Sequence, residues 1–224
     1  MDHNGPLDSL SIFQLKYESR KNVIQLLIGT DNDTIGTYCA GRGVPVFRGL
    51  ESDVLDRLTQ ALISREAQIG VLVFGDCPLI DPAIITQAVL FFQCHHEYDF
   101  VSNDLSTSWP PGMEVEVFTV RALQDSARRC TDATVREHST LYLRQNPEIY
   151  RLHNLVAPPH LRRPDLSLEV DVPEDLVVIQ AILTEFDSRT DVGLEDIIGY
   201  MDEHLSLATY NRDVDRRWKR YRDD

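Results

Sequence analysis

Short apolar runs rich in β-branched residues alternate with amphipathic stretches along most of this chain. The apolar runs predict strands at 23–28, 44–47, 70–74, 99–102, 115–119, 150–155 and 168–170. Apolar residues spaced as on one helix face predict helices that begin near 53, 82 and 173, and others over 134–144 and 194–204. This alternation predicts an α/β fold in which helices cover both faces of a mostly parallel sheet.

Two aspartates follow predicted strands, at the carboxyl ends where such sheets bind ligands. Asp76 comes after the run 70–74, and Asp171 comes directly after the run 168–170. Asp76 also fits a turn-stabilising residue, and Asp171 also fits a helix N-cap with Glu174 as its capping-box partner. If the two carboxylates converge, they form a pair suited to holding Mg²⁺ against phosphate oxygens.

Residues beside these aspartates have simpler structural interpretations. Asp81 directly before Pro82 predicts a helix N-cap followed by proline at the first helical position. Gly75 is predicted to adopt a backbone conformation that other residues resist. Acidic and apolar residues alternate over 112–118, and this pattern predicts an edge strand with one solvated face.

One basic residue lies in a predicted turn before a helix. Arg48 is suited to binding a base edge or a phosphate with two parallel hydrogen bonds. The alternative is a surface salt bridge to Glu51 or Asp53.

The charge of the chain limits its partners. The formal net charge is -14, so nucleic acid and anionic membranes are not expected partners. A nucleotide triphosphate is repelled too, unless a divalent cation or a local basic group compensates. The sequence shows neither a secretory leader nor an apolar run long enough to span a bilayer, and its four scattered cysteines predict reduced thiols in a cytoplasmic protein.

Several segments, in their order and spacing, resemble the cytidylyltransferase family that includes acylneuraminate cytidylyltransferases, and its spore-coat-polysaccharide branch in particular. The resemblance covers roughly residues 6–211. The matching segments are GVPVFRG at 43–49, DVLDR at 53–57, GDCPLIDP at 75–82, VSN at 101–103, EVEVF at 114–118, REH at 136–138 and DVPEDL at 171–176.

The resemblance implies a Rossmann-like nucleotidyltransferase fold and the transfer of CMP from CTP to a sugar acid, with release of pyrophosphate. It implies Mg²⁺ as cofactor, with Asp76 and Asp171 as the metal-binding and catalytic pair. The residues implied to meet the nucleotide are Arg48, Gly49, Asp53 and Arg57. Those implied to face the sugar are Asn103, Glu116, Arg136, Glu137 and His138. Members of the family are often dimers, so a homodimer is possible.

The resemblance also sets an expectation about the start of the chain. Relatives begin with a strand and a glycine-rich, basic loop that cradles the triphosphate, and this sequence matches only the end of that loop, near Gly5. We expect the sheet to lack a strand, and the chain as given to bind CTP–Mg²⁺ weakly and to turn over little or nothing. Two other functions are alternatives to an active cytidylyltransferase. One is a catalytically impaired relative that acts as a binding or assembly module, and the other is a glycosyltransferase that uses a nucleotide-sugar.

The expected domain organisation is simple. Residues 1–211 are assigned to one nucleotidyltransferase-like domain, and residues 212–224 to a charged C-terminal tail that is interpreted as a solvated end.

Overall fold

A computed structural model of the protein describes residues 26–187, 189 and 191–216. The described strands form two sheets. In the smaller sheet, β1 (Ile28–Thr30) lies parallel to β2 (Val46–Arg48). The larger sheet has the order β3-β5-β4-β6 and contains β3 (Ile69–Val73), β4 (Phe100–Ser102), β5 (Val115–Thr119) and β6 (Leu152–Asn154). Residues 23–25 of the first predicted strand lie outside the described residues.

The direction of the strands agrees with a mostly parallel sheet, with one exception. β5 runs antiparallel to both of its neighbours, β3 and β4, whereas β4 and β6 are parallel. β3, β4 and β6 therefore run in the same direction, and their carboxyl ends share one edge. The predicted α/β fold class is confirmed.

The helices lie between and after the strands. Their bounds are α1 Asp33–Ala40, α2 Val54–Ile63, α3 Pro82–Cys94, α4 Val120–Arg129, α5 Ala133–Arg136, α6 Leu141–Gln145, α7 Pro173–Glu185, α8 Leu194–Glu203 and α9 Leu205–Ala208. The predictions near α2, α3, α7 and α8 are confirmed. The prediction of a single helix over 134–144 is wrong, because two short helices, α5 and α6, form there instead. Between them, the buried Thr140 hydroxyl donates to Glu116. Both α1 and α4 were missed.

Alternate residues of β4 and β5 build two apolar cores, one on each face of the larger sheet. Phe100 and Phe118 pack with Leu55 of α2 and Leu123 of α4. The intervening residues contact the other core, in which Val101 and Val117 pack with buried residues of α3, α7 and α8 such as Ile85, Ile179 and Ile198. Because successive strand residues point to opposite faces, this division places helices on both faces, as predicted.

The strand predicted at 168–170 is wrong. Its amides bond to loops: the Leu168 amide donates to Pro111 O at 2.7 Å, and the Val170 amide to Asp76 O at 2.8 Å. Since its partners are loops, no ladder forms. Gly112 makes this approach possible, because it has φ +101° and a Cβ there would lie 2.4 Å from the carbonyl carbon of Leu168.

Two further predictions concern the chain as a whole. Over the ranges described, no helix has the length and apolar character needed to cross a membrane. All four cysteines, Cys39, Cys77, Cys94 and Cys130, are free thiols.

Candidate functional site

The two predicted metal-binding aspartates lie on adjoining segments at the carboxyl edge of the larger sheet. Asp76 follows β3, and its backbone oxygen accepts the Val170 amide one residue before Asp171. The pKa of Asp171 is raised, first by partial burial and then by the negative charge of Asp76. The two carboxylates are therefore close enough to repel each other, and a cation shared between them would relieve that repulsion.

Asp171 is not the N-cap of the helix that follows it, so that alternative is wrong. The cap position belongs to Val172, Pro173 is the first helical residue, and Asp175 is the third. The carboxylate of Asp175, and not that of Glu174, accepts the amides of Asp171 and Val172, at 2.9 and 3.1 Å. Because Asp175 accepts these amides, the Asp171 carboxylate takes no part in capping the helix.

Asp81 is the N-cap predicted for α3. Its carboxylate accepts the Ala83 amide at 2.8 Å, and Pro82 is the first helical residue. The expectation for Gly75 is wrong, because in the described chain only Gly43 and Gly112 among the glycines have positive φ.

More acidic groups surround Asp76 than the sequence indicated. Burial raises the pKa of the Cys77 thiol well above its ordinary value, and the charges of Glu114, Asp76 and Glu169 add to that effect. The Cys77 thiol lies 3.6 Å from Glu114 Oε2, which also accepts the Gly112 amide at 2.8 Å. This edge of the sheet therefore carries a concentrated negative charge that favours cations.

The donors present fit a magnesium ion that arrives with a nucleotide. In the part of the chain that is described, no group of three or more His, Cys, Asp or Glu side chains is arranged to hold a metal. Mg²⁺ in nucleotide sites takes one or two protein carboxylates, and phosphate oxygens and water supply the other ligands. Asp76 and Asp171 would supply those carboxylates, and their sharing of one cation stays a prediction.

The acidic edge is partly neutralised from the end of the chain. Arg216 is 2% exposed, although it belongs to the predicted solvated tail. Its guanidinium donates to Glu169 at 2.9 Å and to Asp175 at 2.5 and 3.2 Å. The solvated interpretation is therefore wrong for Arg216, and residues 217–224 lie outside the described chain.

The residues predicted to meet the nucleotide lie on and after the smaller sheet. Arg48 ends β2, and its guanidinium donates to Asn32 O and to Asp33 Oδ1, both at 2.6 Å, and to Asp31 O. The salt bridge expected for Arg48 therefore exists, but its partner is Asp33, not Glu51 or Asp53. The bond reaches the start of α1, a helix that was not predicted.

Gly49 and Arg57 are close-packed. A Cβ on Gly49 would lie 2.7 Å from Cγ of Arg57, so only glycine lets this arginine cross the backbone. The Arg57 guanidinium donates to Leu50 O and lies 4.0 Å from Asp31. Arg48 and Arg57 thus both approach the loop that follows β1.

Asp53 links the predicted nucleotide and sugar residues. It caps α2 by accepting the Asp56 amide, and it accepts Nε of Arg136 at 2.9 Å. Arg136 also donates to Ala127 O and Cys130 O, at 2.8 and 2.9 Å. The guanidinium of Arg136 is thus held by structural partners.

Glu137 and His138 follow Arg136 at the end of α5, and both are exposed to solvent. Their contact with a sugar stays a prediction.

Asn103 is buried and joins the end of β4 to the start of β5. Its side-chain amide donates to Met113 O at 2.7 Å, and its oxygen accepts the Val115 amide at 2.8 Å. These two bonds fix the backbone on both sides of Glu114.

Glu116 lies in a central strand, so the expectation of an edge strand with a solvated face is wrong. Its buried carboxylate accepts from Thr140 at 2.8 Å and from Arg144 at 3.3 Å. Arg144 also donates to Asp104 at 2.9 Å, and Asp104 is buried as well. Burial, together with the nearby charge of Asp104, raises the pKa of Glu116 to about 7.

Sequence reasoning missed the partners that organise this site. Five of them are buried, namely Asp104, Glu114, Glu169, Asp175 and Arg216. The sixth, Arg144, is partly buried. Arg144 and Arg216 have no local signal, because each pairs with carboxylates distant in the sequence. Glu114 lay within a matching segment and was assigned to a solvated face.

Comparison with known proteins places the chain among nucleotide-transferring enzymes. A family model described as cytidylyltransferase matches residues 16–202. The chain is 29% identical over 196 residues to the spore coat polysaccharide biosynthesis protein SpsF of Bacillus subtilis, which covers 85% of this chain and 80% of that protein. It is 28% identical over 218 residues to an uncharacterized protein of Methanocaldococcus jannaschii, with 96% and 87% covered.

Two solved structures share the fold. A cytidylyltransferase from Leptospira borgpetersenii serovar Hardjo-bovis superimposes with a TM-score of 0.81 at 24% identity, covering 93% of this chain and 87% of that one. A CMP:2-keto-3-deoxy-manno-octonic acid synthetase complexed with CTP superimposes with a TM-score of 0.58 at 15% identity, covering 83% and 90%.

Proposed function

Because this chain belongs to the cytidylyltransferase family, we propose that it transfers CMP from CTP to a sugar acid. In this reaction a sugar hydroxyl loses its proton to solvent, its oxygen bonds to the α-phosphorus of CTP, and the bond from that phosphorus to pyrophosphate breaks. The product is a CMP-sugar for the synthesis of surface polysaccharide or glycan. The Bacillus relative, a spore coat polysaccharide biosynthesis protein, supports the polysaccharide role, and the CMP:2-keto-3-deoxy-manno-octonic acid synthetase complexed with CTP supports the substrate pair.

The observation that carries the proposal is the meeting of two segments at the carboxyl edge of the sheet. The amide of Val170 bonds to the backbone oxygen of Asp76, which sets Asp171 beside it, and the charge of Asp76 raises the pKa of Asp171. Mg²⁺ held there would supply positive charge near the departing pyrophosphate. The two carboxylates would hold the ion, since neither serves as a helix cap.

The remaining predicted residues divide into two groups. Arg48, Gly49, Asp53 and Arg57 form the proposed nucleotide side. Asn103, Glu116, Arg136, Glu137 and His138 form the proposed sugar side. On the nucleotide side, Arg48 could exchange its exposed bond to Asp33 for a phosphate or a base edge. On the sugar side, Asn103 fixes the backbone on both sides of Glu114, and Glu116 accepts from Thr140 and Arg144.

The test is pyrophosphate release from CTP with Mg²⁺ and a panel of nonulosonic and related sugar acids, with ATP, GTP and UTP as competing nucleotides. Asp76→Asn and Asp171→Asn should each lower turnover by about 10²–10³-fold, as expected when charge stabilisation of the transition state is lost. Glu174→Gln is the matched control, because Glu174 is an exposed neighbour and the amides of Asp171 and Val172 donate to Asp175 instead.

Each outcome has a clear meaning. Release of pyrophosphate that depends on CTP, a sugar acid and both aspartates supports the proposal. CTP binding without turnover favours a binding or assembly module. Transfer from a preformed nucleotide-sugar would replace the proposal with a glycosyltransferase. The cytoplasmic location and the possible homodimer stay proposals, the latter testable by light scattering.

A further inference from the structure

The turn that carries Asp171 is held by a residue from the far end of the described chain. Arg216 follows α9 and is 2% exposed. Its guanidinium donates to Glu169 on one side of the turn and to Asp175 on the other. It lies 3.7 Å from Oδ2 of Asp171 itself. The buried guanidinium of Arg216 therefore contacts carboxylates before, within and after this turn.

The contact is relayed to the backbone of Asp171. The carboxylate of Asp175 is 0% exposed, and its Oδ2 accepts the amides of Asp171 at 2.9 Å and Val172 at 3.1 Å. Asp175 is held in turn by Arg216 and by the side-chain amide of Asn211 at 2.7 Å. The position of the Asp171 backbone is thus set by a carboxylate that the C-terminal segment orients.

This arrangement differs from an ion pair that serves only stability. Buried ion pairs often add little net stability, because the cost of desolvating both charges offsets their attraction. Their geometry is nevertheless well defined, since a guanidinium donates in a fixed plane. Partners that hold metal ligands from behind commonly affect metal affinity by roughly 10–100-fold.

We infer that Arg216 is a positioning residue for Asp171: through Asp175 and Glu169, it holds the 169–175 turn so that Asp171 lies beside Asp76, where the two carboxylates would hold a cation. The inference rests on the proposed function, in which Asp171 binds that cation. The C-terminal segment is then part of the site and not an appendage to it. Arg216 acts through these carboxylates and is not assigned any contact with substrate.

The first measurement is Mn²⁺ binding in the presence of CTP, followed by electron paramagnetic resonance. Arg216→Gln should weaken Mn²⁺ binding by roughly 10–100-fold, and Arg216→Lys should weaken it less, because it keeps the charge without the planar fork. Arg212→Gln is the matched control. Arg212 belongs to the same segment but is half exposed and lies 3.9 Å from Asp165, so its variant should bind Mn²⁺ like the wild type.

The second measurement is hydrogen exchange, which needs no metal and no turnover. In Arg216→Gln the amides of Asp171 and Val172 should exchange faster, while amides of α2 keep wild-type rates. Circular dichroism confirms that each variant is folded at the temperature used, and Arg216→Lys serves if Arg216→Gln does not fold.

The outcomes separate the two proposals. A wild-type chain that binds no Mn²⁺ with CTP contradicts the proposed function. Folded Arg216 variants that bind Mn²⁺ as tightly as the wild type, or that leave the Asp171 and Val172 amides as protected, overturn the positioning role. Weaker Mn²⁺ binding together with faster local exchange supports it.

Discussion

The two halves of the candidate site are built in opposite ways. The half that is proposed to bind the nucleotide (the nucleotide half) lies on the smaller sheet and presents a partly exposed arginine: the side chain of Arg48 is 44% exposed and pairs with Asp33, which is 99% exposed. The carboxylate half, at the edge of the larger sheet, buries its arginine, and the side chain of Arg216 is 1% exposed. Solvent screens the first pair and hardly screens the second.

The exposure of an arginine determines whether its effects on binding and on stability can be separated. An exposed arginine exchanges its protein partner for a ligand at little cost, since water solvates whichever charge is released. A buried arginine cannot be removed without leaving acidic groups in a poorly solvated site. Variants of the nucleotide half should therefore change binding, whereas variants behind the carboxylates should change both stability and site geometry.

Arg144→Met should be the most destabilising change. It removes the cation that the buried carboxylates of Glu116 and Asp104 share. Removing one partner from a buried ion pair typically costs about 3–5 kcal/mol. Urea denaturation measures the loss. The control is Arg128→Met, whose partner Asp125 lies on the surface of the same helix; it should change stability by less than about 1 kcal/mol. Similar values for both would contradict the contrast between buried and exposed pairs.

Gly112→Ala should destabilise the protein by about 2 kcal/mol or more, because the side chain is strained at positive φ and meets the Leu168 backbone. Gly75→Ala is the control. It has no atom within 4 Å of the added Cβ, and Gly75 does not have positive φ. Thermal unfolding of the two variants compares them. Equal melting temperatures would show that the 112 and 168 segments do not approach as described.

The pH dependence of stability should report on Glu116. Its pKa is raised from 4.5 to about 7 in the folded protein, so the folded state keeps a proton that the unfolded state releases. Stability therefore falls as pH rises from 4.5 to 7, by an amount on the order of 1–3 kcal/mol. The free energy of unfolding, measured with urea at several pH values across this range, should fall less steeply with pH for Glu116→Gln than for the wild type. An unchanged slope would mean that Glu116 ionises in the folded state as it does in water.

Arg48→Gln should have the smallest effect on stability, within about 0.5 kcal/mol, because its ion pair is exposed. CTP binding measured by calorimetry should weaken by about tenfold, the value of one lost charged contact of about 1.4 kcal/mol. Arg42→Gln, another exposed arginine of the same region, should bind CTP normally. If Arg48→Gln also binds CTP normally, Arg48 is removed from the nucleotide half.

Much of the architecture followed from local patterns. The apolar runs at 70–74, 99–102 and 115–119 match β3, β4 and β5. Helix α2 begins near 53 as expected, and the predicted cap at Asp81 begins α3. Periodicity and capping depend on residues within one or two turns of each other, so they can be read from the sequence. The order of the family motifs indicated the fold class by resemblance.

Local sequence patterns did not show which charges are buried or which partners they have, because these depend on the tertiary structure. Glu116 looked like a solvated strand residue, but it lies in a central strand because Arg144 and Thr140 satisfy its carboxylate. Arg216 looked like part of a solvated tail, but it is buried against Asp175. Alternation along a strand cannot distinguish water from a guanidinium as the partner of a carboxylate. That choice depends on contacts between residues distant in the sequence, and these exist only once the chain has folded.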